Sequence, residues 1–168
     1  MQFVFSLMSE SDARAILLWR YEGMYAVYNM GHDDSNASEI LAELLDRCSP
    51  YYAVRDNQGE LVGFFNFGTS ALIWKSKEPG IYGENRTIPI GLGMRPDLTG
   101  QGLGLAFVLA GLNFARQEFA PEHFQLYVFP WNERAIRVYE RAGFQRVRVV
   151  LQRSIYGERE FVEMSRDA

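Results

Sequence analysis

The chain has 168 residues, 48% hydrophobic and 23% charged, which suits one soluble globular domain with a sizeable core and is short for two. A formal net charge of −4 lacks the basic footprint of a nonspecific nucleic-acid binder. The single cysteine excludes an intrachain disulfide and a cysteine-based metal site, no run approaches 18 apolar residues, and Met1 to Met8 lacks the basic region and apolar run of a secretion signal, so a cytoplasmic protein without membrane contact is expected.

Gln2 to Leu7 alternates loosely and reads as a strand. Ser9 and Asp12 form an S-x-x-D capping pattern ahead of Ala13, Ile16 and Leu17, which predicts a helix over 10–20. The stretch "WRYEGMYAVYNMGHDD" is aromatic and irregular, a loop or a broken helix. Ile40, Leu41, Leu44, Leu45 and Cys48 repeat at helical spacing, predicting a helix over 37–48 with Cys48 as a small core residue. "YYAVRD", a turn at "NQG" and "ELVGFFNFG" read as a β-hairpin. Residues 68–86 read as a loop or a poorly formed strand.

"RTIPIGLGMRP" reads as a strand ending at Pro96, and Leu103 to Phe119 as a long, well-buried helix. "HFQLYVFP" is a further strand. Asn132 caps a helix carrying Ala135, Ile136, Tyr139 and Ala142, and Gly143 ends it. "FQRVRVVLQRSI", the turn "YGER" and "EFVEMSR" form a closing hairpin. The order β-α-α-β-β-β-α-β-α-β-β predicts a mixed α/β domain around one central sheet, covering residues 1–168. Arg134, Arg137, Arg141, Arg146, Arg148, Arg153 and Arg159 crowd the last third, either as a solvated surface or as an attraction for an anionic ligand.

Gly100, Gly102 and Gly104 stand at every second position just before the long helix, where glycine costs about 0.5–1 kcal/mol relative to alanine. Glycines there let an anion approach the free N–H groups of a helix start. A P-loop is excluded because Leu105 and Ala106 follow Gly104. A dinucleotide fingerprint is excluded because its third glycine falls on Phe107 or Leu105. A pyrophosphate cradle of backbone N–H groups fits the spacing; close packing of the backbone is the competing explanation.

The second motif is "LYVFPWNERAIRVYERAGF", in which Tyr139 lies two helical turns after Asn132 on the same side. Together the two motifs resemble the GNAT superfamily of acyl-CoA-dependent N-acetyltransferases, by pattern over roughly residues 50–150 and by element order throughout. The resemblance implies the acyl-CoA N-acyltransferase fold, a mostly antiparallel twisted sheet of about six or seven strands with a splayed pair and about four flanking helices. It implies that Leu92, Gly93 and Met94 line the pantetheine arm and thioester of acetyl-CoA. Thr99, Gly100, Gln101, Gly102, Leu103, Gly104 and Leu105 would surround the pyrophosphate, and Asn132 would orient the arm. Tyr139 would protonate the leaving thiolate, and the Met94 N–H would polarise the thioester; no metal is implied.

Two departures stand out. Thr99 occupies the position where the family carries Arg or Gln. Tyr127 and Ile88 occupy positions where family members carry the carboxylate base, leaving Glu22 or Glu84, a water relay or an amine that arrives unprotonated. His32 and His123 read as structural or solvated. The acceptor would meet Glu22, Tyr25, Tyr28 and Trp131, with Trp19, Tyr21, Asn29, Phe64, Asn66 and Phe129 near them. Aromatic walls with one carboxylate suit an ammonium group. The leading expectation is therefore acetylation of a small primary amine. A protein N-terminal acetyltransferase of the ribosomal-protein type and a non-catalytic acyl-CoA sensor remain open, as does a homodimer, common in this fold class.

Overall fold

The computed structural model describes residues 1–31, 36–155 and 157–168. Seven strands form one sheet in the order β1-β2-β3-β4-β5-β7-β6. They are β1 (Val4–Leu7), β2 (Tyr51–Arg55), β3 (Leu61–Phe67), β4 (Thr87–Met94), β5 (His123–Val128), β6 (Gln145–Ser154) and β7 (Gly157–Asp167). Four α-helices flank it: α1 (Glu10–Leu17), α2 (Ala37–Leu44), α3 (Gly104–Phe119) and α4 (Glu133–Arg141). Every neighbouring pair is antiparallel except β4 with β5. The expected mixed α/β order and mostly antiparallel sheet are present.

Successive residues of a strand face opposite sides of a sheet, so Phe64 and Phe65 enter different cores. Phe65 joins Phe67, Phe107, Leu112, Phe124 and Ile136 beneath α3 and α4. α3 lies so close that a side-chain carbon at Gly111 would collide with the Phe65 ring. Phe64 joins Ile16, Leu44, Tyr51 and Ala53 beneath α1 and α2. Those two helices pack on β2 and β3, and on the same face the outward residues of β5 and β7, among them Gln125, Tyr127 and Glu163, line a cavity instead.

The local differences from expectation have local causes. α1 stops at Leu17 rather than residue 20 because Arg20 Nη1 donates to the carbonyls of Leu17 and Trp19, both at 2.7 Å. α2 stops at Leu44 because Asp46 Oδ1 captures the Cys48 N–H at 2.8 Å and Pro50 lies ahead. Cys48 is therefore exposed rather than a core residue. Residues 68–86 form a loop with two short 3₁₀ turns and no strand. Leu109 of α3 stays on the outside. β7 begins at Gly157, paired with Ser154, so the closing turn is shorter than "YGER"; Tyr156 and His32 lie outside the described residues. No helix among the described residues is long and apolar enough to cross a membrane.

Phe65 is fully buried against Phe5, Phe67 and Phe107. Phe65→Ala is expected to lower stability by about 3–5 kcal/mol in urea unfolding. A loss under about 1 kcal/mol would show that the ring does not tie α3 to the sheet.

Candidate functional site

β4 runs between two neighbours and keeps only one of them. Its parallel ladder with β5 covers Thr87–Pro89 against His123–Gln125 and then ends. Its antiparallel ladder with β3 continues to Met94. β3 ties β4 to itself through side chains: carbons added at Gly91 and Gly93 would collide with the Asn66 amide and the Phe64 ring. Beyond Pro89 a gap opens on the β5 side.

The phase of the β3 ladder decides which groups face that gap. Gly68 N donates to Pro89 O and Arg95 N to Val62 O, both at 2.8 Å. Alternation then turns the peptide groups of Leu92 and Met94 away from β3 and those of Gly93 toward it. Of the three residues expected to line the gap, Leu92 and Met94 present backbone groups there. Gly93 spends its own on Phe64.

After β4 the chain makes a 3₁₀ turn at Pro96–Leu98 and enters the glycine stretch. Gly100 and Gly102 have φ +75° and +79°, a region costly for other residues. Nothing lies within 4 Å of a carbon added at Gly102. Gly104 differs: such a carbon would sit 3.1 Å from Val138 Cγ2, so this glycine serves the approach of α4 to α3. The N–H groups of residues 100–105 have no backbone partner among the described residues. Side chains at the turn are already committed. Thr99 Oγ1 donates to Pro96 O at 2.8 Å, and Gln101 Nε2 to Asp97 O at 2.6 Å.

On the far side of the gap, Asn132 caps α4 by accepting from Ala135 N at 3.2 Å. Tyr139 follows two turns later, its ring edge-on to Phe144. Burial pushes its phenol well above the ordinary value near 10, with a smaller push from Tyr28. It is a protonated donor throughout the neutral range.

An aromatic strap, Tyr21 to Asn29, spans the gap. Asn29 closes its ends by accepting from Tyr21 N at 2.6 Å and donating to Tyr21 O. Tyr21 OH donates to Met94 O at 2.7 Å, and Asn132 Nδ2 donates to Tyr28 OH at 2.8 Å. Burial raises both phenols, Tyr21 to about 12. Tyr28 packs on Phe129 and Trp131, and Tyr25 meets Trp131 edge-on. Tyr25, Tyr28 and Trp131, the acceptor candidates, thus stand together in one ring cluster. Glu22 is exposed at the start of the strap. Trp19 packs on Phe64 in the α1 core rather than in the cleft.

A cavity of about 790 Å³ lies on the bare sheet face over β5 and β7. Trp74, Gln125, Tyr127, Arg148 and Glu163 line it. Trp74 meets Tyr127 edge-on at 5.4 Å. Glu163 stands directly across from Tyr127 in the register and is 7% exposed. Its carboxylate accepts from Gln125 at 2.9 Å and from Arg148 at 2.8 Å. Burial, then Glu163, pushes the Tyr127 phenol up to about 12. Sequence reading missed Glu163; the visible signal was its place between Val162 and Met164, on the face opposite the core. Ile88 faces the core, fully buried. Glu84 lines the cavity beside Thr87, roughly 20 Å along β4 from Met94. His123 pairs with Asp167 at 3.0 Å near that same end.

A family model described as the acetyltransferase (GNAT) family matches residues 13–144. A mycothiol acetyltransferase of Propionibacterium freudenreichii subsp. shermanii is 40% identical over 90 residues, 54% of this chain and 26% of that one. A mycothiol acetyltransferase of Acidothermus cellulolyticus is 35% identical over 98 residues, 56% of this chain and 29% of that one. The chain thus spans under a third of these curated relatives. Among solved structures, an aminoglycoside acetyltransferase AAC(6')-Ib in complex with coenzyme A superposes with a TM-score of 0.73 at 22% identity, covering 99% of this chain and 95% of that one. A spermidine N-acetyltransferase SpeG chimera from Vibrio cholerae and hSSAT gives 0.74 at 16% identity, covering 98% and 95%. At such identities the likeness establishes the fold.

Asn132 caps a helix and anchors the strap at once. Asn132→Ala is expected to cost at least about 1 kcal/mol in thermal or urea unfolding. Tyr28→Phe keeps the cap and should cost about 0.5–1.5 kcal/mol. If Asn132→Ala proves no costlier than Tyr28→Phe, the cap adds nothing.

Proposed function

The chain belongs to the acetyltransferase (GNAT) family, and on that premise we propose that it transfers the acetyl group of acetyl-CoA to a primary amine of a small molecule. One observation carries this reading. Beside β4 the Leu92 and Met94 N–H groups are turned away from β3, the helix that carries Asn132 and Tyr139 follows β5, and a glycine turn of N–H groups without backbone partners follows β4. The residues fit a coenzyme A: the N–H groups of 100–105 are unpartnered, and the space at Gly102 is open. Acetyl-CoA supplies the activated carbonyl and the leaving thiolate. Leu92 would hold the pantetheine arm by its amides, and the Met94 N–H, whose own carbonyl accepts from Tyr21, would stabilise the developing oxyanion. Tyr139 would give its proton to the departing sulfur.

The acceptor side rests on the bare-face cavity. Its volume lies in the range of small-ligand sites. Trp74 and Tyr127 would flank the amine, and Glu163 would draw the ammonium form inward; the nitrogen would release one proton to water before it attacks and a second as the amide forms, one of which restores the Tyr139 phenol. In this reading the charged group stands one strand away from Tyr127, the position where some family members carry an acid. The relatives and neighbours named above act, by their names, on mycothiol, spermidine and aminoglycosides, all small molecules. In this reading residues 1–168 work as one domain in the cytoplasm.

Tyr139→Phe is expected to lower kcat by about 10²–10⁴-fold while the Kd for acetyl-CoA, read by calorimetry, stays within a factor of about 3. Because the Tyr139 pKa is raised, its donor form persists as pH rises past 10. The wild-type rate should therefore show no loss from Tyr139 between pH 7 and about 10. A fall in cofactor affinity with kcat intact would sink the assignment. Glu163→Gln should raise the KM of the amine by about 10-fold or more without changing acetyl-CoA binding; unchanged KM would remove Glu163 from the acceptor site.

A further inference from the structure

The glycine turn offers backbone but no charge. Thr99 stands where a phosphate-binding side chain is expected, and its hydroxyl is turned onto Pro96 O. Gln101 is turned onto Asp97 O. Nine arginines lie in the last third, and four of them pair with nearby carboxylates. Arg137 pairs with Glu133, Arg146 with Glu140, Arg148 with Glu163 and Arg153 with Glu158.

Arg134 is different. It sits in the first turn of α4, exposed, with no carboxylate partner among the described residues. Its guanidinium carbon lies 4.2 Å over the Tyr25 ring, which Trp131 supports edge-on at 5.6 Å. A guanidinium held over a ring face by its charge spends no N–H on the contact, so its donors stay available. The guanidinium also lies beside the turn: a side-chain carbon placed on Gly100 would have Arg134 Nη1, at 3.8 Å, as its one neighbour within 4 Å. The charge is felt nearby, pulling the Tyr21 and Tyr28 phenols downward against burial.

We propose that Arg134, held on Tyr25, is the cationic ligand of the acetyl-CoA pyrophosphate, taking from α4 the role that Thr99 leaves empty on the turn. The inference rests on the acetyl-CoA reading above. The turn contributes neutral N–H donors along one side of the anion. Arg134 contributes charge and a two-pronged contact from the other. It is a binding residue and takes no part in the proton transfers. The strap gains a second task as well, since Tyr25 sets the plane of the guanidinium.

The test compares calorimetric Kd values for acetyl-CoA and for S-acetylpantetheine, which has the thioester and arm but no phosphate. Arg134→Gln, on an exposed site, should remain folded by circular dichroism. It is expected to weaken acetyl-CoA by about 10-fold or more while S-acetylpantetheine changes by less than about 2-fold. Arg134→Lys should fall between, keeping charge and losing the fork. Arg137→Gln, one turn on and paired with Glu133, should leave both affinities unchanged. Raising the salt concentration should weaken acetyl-CoA more for the wild type than for Arg134→Gln. Equal acetyl-CoA affinity for wild type and Arg134→Gln would overturn the inference and leave the acetyltransferase reading standing. Equal weakening of both ligands would overturn it too, as a general disturbance of the cleft. Wild-type protein that binds no acetyl-CoA at millimolar concentration would overturn both.

Discussion

β4 cannot follow both of its neighbours. Its antiparallel bonds to β3 persist to Met94, while its parallel bonds to β5 end at Pro89. Phe64 and Asn66 lie across Gly91 and Gly93, so β4 is fastened to β3 along the length where β5 leaves. Everything of chemical interest stands around the opening that results. Leu92 keeps its peptide groups and Met94 its N–H free of β3 on one wall because a strand's hydrogen bonds alternate, while the Met94 carbonyl is taken by Tyr21. β5 leads into Asn132 and Tyr139 on the other wall. The gap is thus a consequence of ladder geometry and of two missing side chains, and the site is assembled by using what the ladder leaves over.

The three glycines that mark the end of this gap divide their work. Gly100 and Gly102 adopt backbone angles that other residues reach only with strain, and the space beside Gly102 is open. Gly104 answers to Val138 and keeps α4 close to α3. Open backbone at Gly102 and close packing at Gly104 thus divide a motif that either explanation alone would claim whole. The link is useful in itself. The same contact that brings α4 against α3 carries Asn132, Arg134 and Tyr139 to the cleft.

Much of the scaffold was legible from the residues. Ser9 caps α1, Asn132 caps α4 and Gly143 ends it with φ +92°, because caps depend on local backbone needs that the sequence displays. Helix ends without such signals were misjudged. Arg20 and Asp46 end α1 and α2 through side-chain bonds that no periodicity reveals. Long-range partners were illegible for the same reason. Nothing in "EFVEMSR" states that Glu163 will lie across from Tyr127; register is fixed by the packing of the whole sheet. Nor does the order of residues show that Tyr28 reaches Asn132, since their 104-residue separation is closed only by the fold.

The strap is fastened by neutral groups. Tyr21 and Tyr28 hold Met94 and Asn132 through uncharged hydroxyls, and their raised phenols stay uncharged across the ordinary pH range. Such contacts are nearly blind to ionic strength, whereas Arg134 beside the glycine turn acts through charge that salt screens. The two ends of one cleft therefore respond to different features of the surrounding solution. The end facing the thioester keeps its shape whatever the salt. On the acetyl-CoA reading, the end beside the glycine turn would attract phosphates through a charge that salt screens, so the electrolyte would tune how firmly the cleft grips a ligand without altering where it holds it.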